Sequence, residues 1–314
     1  MAVVAYNAPQ SVEEAIDLLA TLSATSAATS AATSSATSAA TSLATSTTRA
    51  RLMAGGTDLI IQTKSQSTEP VLVVDLKHIA EMMSCDLGAA GLSLGPSMCC
   101  AEFTAQAGVR DVYPGLVEAA DLIGSTQVQG RASIGGNLCN SSPAADTIPA
   151  LIAVGAQCLI VSAKGERTVA VEDFVTGVGR NCLQPGELLK RILIHRPAAG
   201  SRDAYLRFIP RTEMDIAVAG AGVSVTLDQQ GICTAARVAI GAVAPTALLV
   251  AQAAAALVGT RLDEAAVAAA GAAAAAAASP ITDRRGTADY RRQIVAVLVK
   301  RATNIAKQRA QASL

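Results

Sequence analysis

The groups in this sequence best placed to do chemistry are backbone amides in two glycine-rich stretches. The first is RLMAGGTDLI, residues 51–60. A strand-like run ends at Ala54 and gives way to Gly55-Gly56-Thr57-Asp58. Paired glycines let the chain take positive φ and turn successive N–H groups into one concavity. Such a nest suits a diphosphate, and the Thr57 hydroxyl adds a donor; an ordinary turn is the plainer reading. The second stretch is GRASIGGNLCNSSPAADTIPALIA, residues 130–153. Here Ser133-Ile134-Gly135-Gly136-Asn137 offers a second nest, and Asp146 follows nine residues later at the start of a helical pattern. A carboxylate repels phosphate. It fits a hydroxyl or ring N–H of the same ligand, such as a ribityl or ribose group, or else a first-turn charge favoured by the helix macrodipole. Neither stretch continues into Gly-Lys-Ser/Thr, and neither is GxGxxG. A dinucleotide bound here would be held by two separate loops.

Other reactive side chains form no constellation. His78 and His195 are the only histidines and lie far apart in sequence, so both are expected to be structural or surface residues. The seven cysteines include no CxxC pair, and Cys99 and Cys100 are adjacent. That pattern is neither a disulfide framework nor a zinc or iron–sulfur site. It predicts a reduced, cytoplasmic protein with cysteines as small buried hydrophobes. A basic run near the end (Arg284, Arg285, Arg291, Arg292, Lys300, Arg301) surrounds a helical pattern with Ile294, Val297 and Leu298 on its other face. An amphipathic surface helix is expected, with a subunit contact as the alternative.

Composition narrows the function classes. The 314 residues carry 25 Lys+Arg against 25 Asp+Glu, which argues against a chain that grips nucleic acid or an anionic membrane. Charged residues are 16% and hydrophobic ones 51%, the reverse of a disordered chain. Aromatic residues are only 2%, with no Trp, while roughly a fifth of the chain is alanine. A flat ligand would have to rest on aliphatic side chains and backbone. The start, MAVVAYNAPQ, lacks the features of a signal peptide, and Ala265–Ala278 is too short and weakly apolar to span a bilayer.

The elements that must position the two loops can be read in part. Ser11-Val-Glu-Glu14 is a capping box before Ala15, Ile16, Leu18 and Leu19, hence an amphipathic helix. Six Ala-Thr-Ser units then recur between residues 23 and 48, expected to form a flexible, solvated insertion. Strands are expected at Arg51–Ala54, Val71–Leu76 and Leu92–Leu94, and short helices at Glu102–Gly108, Leu116–Ile123 and after Pro143. Cys158–Ser162 and Thr168–Val171 read as a hairpin. A second region is expected from Gly177. It has antiparallel strands at Leu188–Ile194, Ala204–Ile209, Ile216–Leu227 and Ala236–Val243, then helices at Thr246–Val258, Asp263–Ala278 and Asp289–Gln308. Strands followed by helices suggest an α+β unit.

Four segments in order carry a resemblance: AGGTDL at 54–59, QGRASIGGNLCNSSPAADTIPALIA at 129–153, RTEMDIA at 211–217 and DRRGTADYRR at 283–292. Together they resemble the FAD-binding subunit of molybdenum hydroxylases, the xanthine dehydrogenase, carbon monoxide dehydrogenase and aldehyde oxidoreductase type. The match spans the chain apart from the Ala-Thr-Ser insertion. It implies an α+β protein: a two-part FAD-binding domain of the vanillyl-alcohol-oxidase type over residues 1–176, then an α+β C-terminal domain over residues 177–314. It also implies that FAD lies along Arg51, Leu52, Met53, Ala54, Gly55, Gly56, Thr57, Asp58 and Leu59. In that reading Ala54 to Asp58 embrace the pyrophosphate and Leu59 approaches the isoalloxazine. Ser133, Ile134, Gly135, Gly136 and Asn137 would form the second phosphate and ribityl wall, and Asp146 would hydrogen-bond the cofactor. Leu189 would pack near the flavin or adenine. Arg207 would lie at the pyrimidine edge, where a cation favours negative charge on the reduced ring; an ordinary surface strand residue is the alternative. Ile123 stands where the family often has an aromatic residue. No catalytic or metal-ligating residue is implied in this chain. The implied partners are a molybdopterin-binding large subunit and a small subunit with 2Fe–2S clusters, with NAD, quinone, ferredoxin or oxygen open as acceptor. A stand-alone FAD oxidoreductase of the same cofactor fold, or a non-enzymatic assembly protein, are the competing readings.

Overall fold

A computed structural model describes residues 4–21, 49–66 and 71–314. The Ala-Thr-Ser insertion lies outside the described residues. The chain opens with β1 (Val4–Asn7), α1 (12–21), β2 (Arg49–Met53), α2 (Leu59–Gln66) and β3 (Val71–Asp75). The three strands form a parallel sheet in the order β1-β3-β2. Parallel neighbours need crossovers, and the helices supply them. The capping box forms with a shift: the Glu14 N–H donates to Ser11 Oγ at 3.1 Å, and Glu14 Oε2 accepts from the Gln10 N–H at 2.8 Å. Val12, Ala15, Ile16 and Leu19 recur at helical spacing and are buried in a core with Val74 and Leu76.

A second, antiparallel sheet follows, in the order β4-β5-β10-β6-β7: β4 (Cys85–Gly88), β5 (Gly91–Leu94), β6 (Gln157–Ser162), β7 (Gly165–Ala170) and β10 (Leu188–His195). A small ribbon of β8 (Val175–Gly177) and β9 (Arg180–Asn181) precedes β10. Between β5 and β6 come α3 (Cys100–Thr104), α4 (Val109–Val112), α5 (Pro114–Asp121), α6 (Thr126–Gln129), α7 (Ile134–Asn140) and α8 (Thr147–Ala153). A single turn, α9 (Val171–Phe174), follows β7. Phe103, Tyr113, Leu116, Leu138, Leu151 and Ile192 centre this core. The expectation that Leu188–Ile194 shares a sheet with the later strands is corrected here. β10 pairs with β5 and β6: its buried Leu189, Ile192 and Ile194 complete one apolar face of that sheet, while Leu188 packs into the core with Val74 and Leu76.

The last part is a four-stranded antiparallel sheet, β11 (Ser201–Phe208), β12 (Ala219–Leu227), β13 (Cys233–Gly241) and β14 (Leu248–Leu249). Helices α10 (Ala251–Leu257), α11 (Glu264–Ala277) and α12 (Ala288–Gln311) follow. Strand alternation sorts the two faces. In β12, Ala219, Ala221, Val223 and Val225 join the core under the helices. Gly220 and Gly222 face the other way, toward the first part of the chain. A Cβ at Gly222 would sit 2.5 Å from the Pro149 carbonyl oxygen of α8, and one at Gly241 would sit 2.6 Å from Pro149 Cγ. Glycine is required there for helix and sheet to touch. Small residues act likewise between α11 and α12, where a Cβ on Gly271 would lie 2.9 Å from the Ala296 oxygen. Ala266, Ala270 and Ala274 lie on the buried stripe of α11, and Ala270 and Ala274 share a core with Ala302, Ala306 and Ala310 of α12.

Candidate functional site

The first loop leaves β2 at Met53 and enters α2 at Leu59. Gly56 has φ +79°, which the sequence anticipated from the glycine pair. The N–H groups of Gly55, Gly56, Thr57 and Asp58 find no protein acceptor among the described residues. Four consecutive donors left open in a half-buried turn form an anion-binding nest. Arg51 and Gln62 tie the flanks of the loop: Arg51 Nη2 donates to Gln62 Oε1 at 2.8 Å, and Gln62 Nε2 donates to Asn140 Oδ1 at 3.0 Å, linking α2 to α7.

The second loop lies against the first. A Cβ on Gly55 would fall 1.8 Å from the Arg131 carbonyl oxygen, so only glycine allows this approach. Ser133 caps α7, its Oγ accepting from the Gly136 N–H at 3.0 Å. Gly135 packs onto Pro96, where a Cβ would fall 2.2 Å from the Pro96 Cβ. A Cβ on Gly136 would meet Ser133 Oγ at 2.9 Å and lie 3.7 Å from the Ala54 Cβ, between the two loops. Asn137 Oδ1 accepts from the Thr147 hydroxyl at 2.7 Å, joining α7 to the start of α8.

Asp146 stands at that start, 8% exposed. It does not cap α8 through its side chain. Oδ1 accepts from the Tyr205 hydroxyl at 3.0 Å, and Oδ2 accepts from Arg207 Nη1 at 2.7 Å. Burial pushes its carboxyl up to about 6, a rise that Arg207 and the Tyr205 hydroxyl hold in check. Alternation along β11 explains the trio: Asp203, Tyr205 and Arg207 share the face turned toward the first part of the chain. The Arg207 side chain is only 5% exposed, so it is no surface residue, and its Nε is buried without a partner. Tyr205 is absent from the sequence-derived set, although its spacing of two from Arg207 is the signal that finds it.

The remaining expected residues are placed less directly. Leu52, Met53, Ala54 and Leu59 are half-buried around the first loop, and Asp58 is exposed. Ile134 is buried in α7. Ile123 and Leu189 are buried within the same core as Leu138 and Leu151, as aliphatic residues, and Leu189 sits at a β-bulge of β10. RTEMDIA and DRRGTADYRR meet where Arg285 Nε lies 3.3 Å from Asp215 Oδ1; Phe208, at the end of β11, packs edge to face on Tyr290 with centroids 6.0 Å apart. Arg291, 3% exposed, donates to the Val218 oxygen at 2.8 Å and to Asp283 Oδ1 at 2.7 Å. These motifs hold the segment between β11 and β12. The Met214 N–H in that segment donates to the Gly124 oxygen at 3.4 Å, beside Ile123. His78 and His195 are exposed.

FAD fits this arrangement. Open amides face a glycine-lined cradle, and a buried arginine nitrogen still lacks an acceptor. Comparison with known proteins agrees. Residues 27–197 match the family model described as the FAD binding domain in molybdopterin dehydrogenase, and residues 204–306 match the CO dehydrogenase flavoprotein C-terminal domain. The chain is 31% identical to the carbon monoxide dehydrogenase medium chain of Afipia carboxidovorans, covering 98% of this chain and 97% of that one. It is also 31% identical to the nicotinate dehydrogenase FAD-subunit of Eubacterium barkeri, over 67% of this chain and 72% of that one. A solved structure of carbon monoxide dehydrogenase from Hydrogenophaga pseudoflava, lacking the Mo-pyranopterin moiety, superposes with a TM-score of 0.84 at 32% identity and 98% coverage of both chains. The chain therefore belongs to the FAD-binding subunits of the molybdenum hydroxylase family, the carbon monoxide and xanthine dehydrogenase type, and is an oxidoreductase component whose cofactor is FAD.

Proposed function

We propose that this chain is the electron-transfer subunit of a three-part complex. Electrons would reach its FAD from 2Fe–2S clusters in a small partner subunit, after substrate oxidation in a molybdopterin-binding large subunit, and leave to a terminal acceptor. The observation that carries the reading is the nest of four open amides closed over by the second glycine loop. Relatives named as a medium chain and an FAD-subunit of dehydrogenases support the division of labour.

FAD, when bound, supplies exchange between one-electron and two-electron partners. The residues of this chain supply position and charge. Gly55 to Asp58 would donate their N–H groups to the diphosphate, with the amides around Ser133 to Asn137 opposite. Arg207, its guanidinium held in place by Asp146, would supply positive charge near the ring. Asp146 has both oxygens engaged, which leaves their second lone pairs for a cofactor hydroxyl. We draw the division between the two units at the 196–200 connection, after β10, and not at residue 177. Seven unbridged cysteines support a cytoplasmic location. Among the described residues no helix is long and apolar enough to cross a membrane.

Isolation of the tagged chain from its own cells tests the proposal. The expected result is co-purification with a molybdopterin subunit and a 2Fe–2S subunit, and flavin bleaching when the complex meets its substrate anaerobically. A chain isolated alone, with its flavin reduced directly by a small substrate, would contradict it.

A further inference from the structure

Beneath the first loop lies a charged cluster that neither glycine motif includes. Asp75 ends β3 and is 4% exposed. Its Oδ1 accepts from the Lys77 backbone N–H at 3.1 Å and from the Lys77 ammonium at 2.6 Å. Its Oδ2 accepts from the Tyr6 hydroxyl at 2.8 Å. The same ammonium crosses to the first loop and donates to the Ala54 carbonyl oxygen at 2.7 Å. Strand register makes the reach possible. Met53 pairs with Asp75 in β2–β3, so Ala54 emerges beside the turn that carries Lys77.

That hydrogen bond acts on a peptide that matters. The Ala54–Gly55 peptide is planar and trans, so the Gly55 N–H points opposite to the Ala54 carbonyl. Pinning the carbonyl inward turns the Gly55 N–H outward, and this N–H is the first of the four without a protein acceptor. A loop with a glycine pair has little intrinsic preference for that orientation. An ammonium locked between Asp75 and Ala54 supplies one, through a charge-assisted hydrogen bond.

We propose that Lys77 is a positioning residue that presets the first loop for the diphosphate of FAD by holding the Ala54 carbonyl away from it. The proposal rests on the FAD reading above. It differs from a packing role in one respect: the effect falls on the diphosphate and spares the flavin ring. The full-length chain, stripped of flavin, is titrated with FAD and with riboflavin, which lacks the diphosphate. Lys77→Met is expected to weaken FAD binding by about tenfold to a hundredfold, the worth of one charge-assisted hydrogen bond, and to change riboflavin binding less than about twofold. Lys77→Arg is expected to recover most of the loss. An unchanged FAD affinity in Lys77→Met, an equal loss for riboflavin, or no recovery with arginine would each overturn the proposal. Should Lys77→Met not fold, Lys77→Gln decides, since its neutral amide makes a weaker bond: FAD binding weaker than wild type with riboflavin binding unchanged supports the role, and FAD binding equal to wild type overturns it. A wild-type chain that binds neither ligand would instead overturn the FAD reading itself.

Discussion

Single residues here do their work in pairs that cross the chain. Asp146 is not a free carboxylate waiting for a ligand; Tyr205 and Arg207 have engaged both its oxygens. Sequence marked Asp146 and Arg207 separately, but no spacing of 61 residues could show that one holds the other. Lys77 escaped notice for the same reason, because its partner Ala54 becomes a neighbour only through the β2–β3 register. Two positions along β11 from Tyr205, Asp203 is buried at 3% exposure. Its Oδ2 accepts from the Leu116 N–H at 3.1 Å and its Oδ1 has no partner. Burial pushes this carboxyl up to about 7. The sign follows from linkage: between about pH 4 and 7 the native chain holds a proton that the unfolded chain has released, so stability from this site falls as pH rises. Asp203→Asn keeps the acceptor for Leu116 and carries no charge. We expect it to raise Tm at pH 8 by at least about 2–4 °C and to change it little near pH 4. Thermal unfolding of both proteins across that range checks this.

At the scale of elements, the site depends on a seam between α8 and the last sheet. Pro149, in the first turn of α8, reaches Gly222 and Gly241. Gly222→Ala would set a Cβ 2.5 Å from the Pro149 oxygen, against backbone that cannot swing aside. A loss of roughly 2–4 kcal/mol in denaturant unfolding is expected, with FAD affinity falling alongside because Asp146 leads into the same helix. Most elements were legible from pattern. The hairpin of β6 and β7, the cap of α1 and the long α12 follow from alternation, a Ser cap and helical period. The sheet membership of Leu188–His195 was not, since an apolar strand reads alike in either sheet. The helix expected after Pro143 begins at Thr147, because residues 142–145 instead close a turn in which the Ala145 N–H donates to the Ser142 oxygen at 3.1 Å.

For the whole molecule, the two parts of the chain meet at Asp146. The first part carries both glycine loops; the second brings Tyr205 and Arg207 onto Asp146 from a strand whose other face serves its own helical core. Scarce aromatic residues, which suggested a poor host for a flat ligand, would in the proposed reading be offset by the open backbone donors of the first loop. The four motifs gave family and cofactor together because their order is itself a pattern, whereas the geometry joining them lay in contacts between distant segments. The most direct measurement of the central claim is calorimetric titration of the flavin-free chain with FAD, for wild type and Gly136→Val. One FAD is expected to bind per wild-type chain, with a rise in Tm on binding. A loss of at least about a hundredfold in affinity is expected when a branched side chain fills the space between the two loops. No stoichiometric binding by wild type, or equal binding by Gly136→Val, would contradict it.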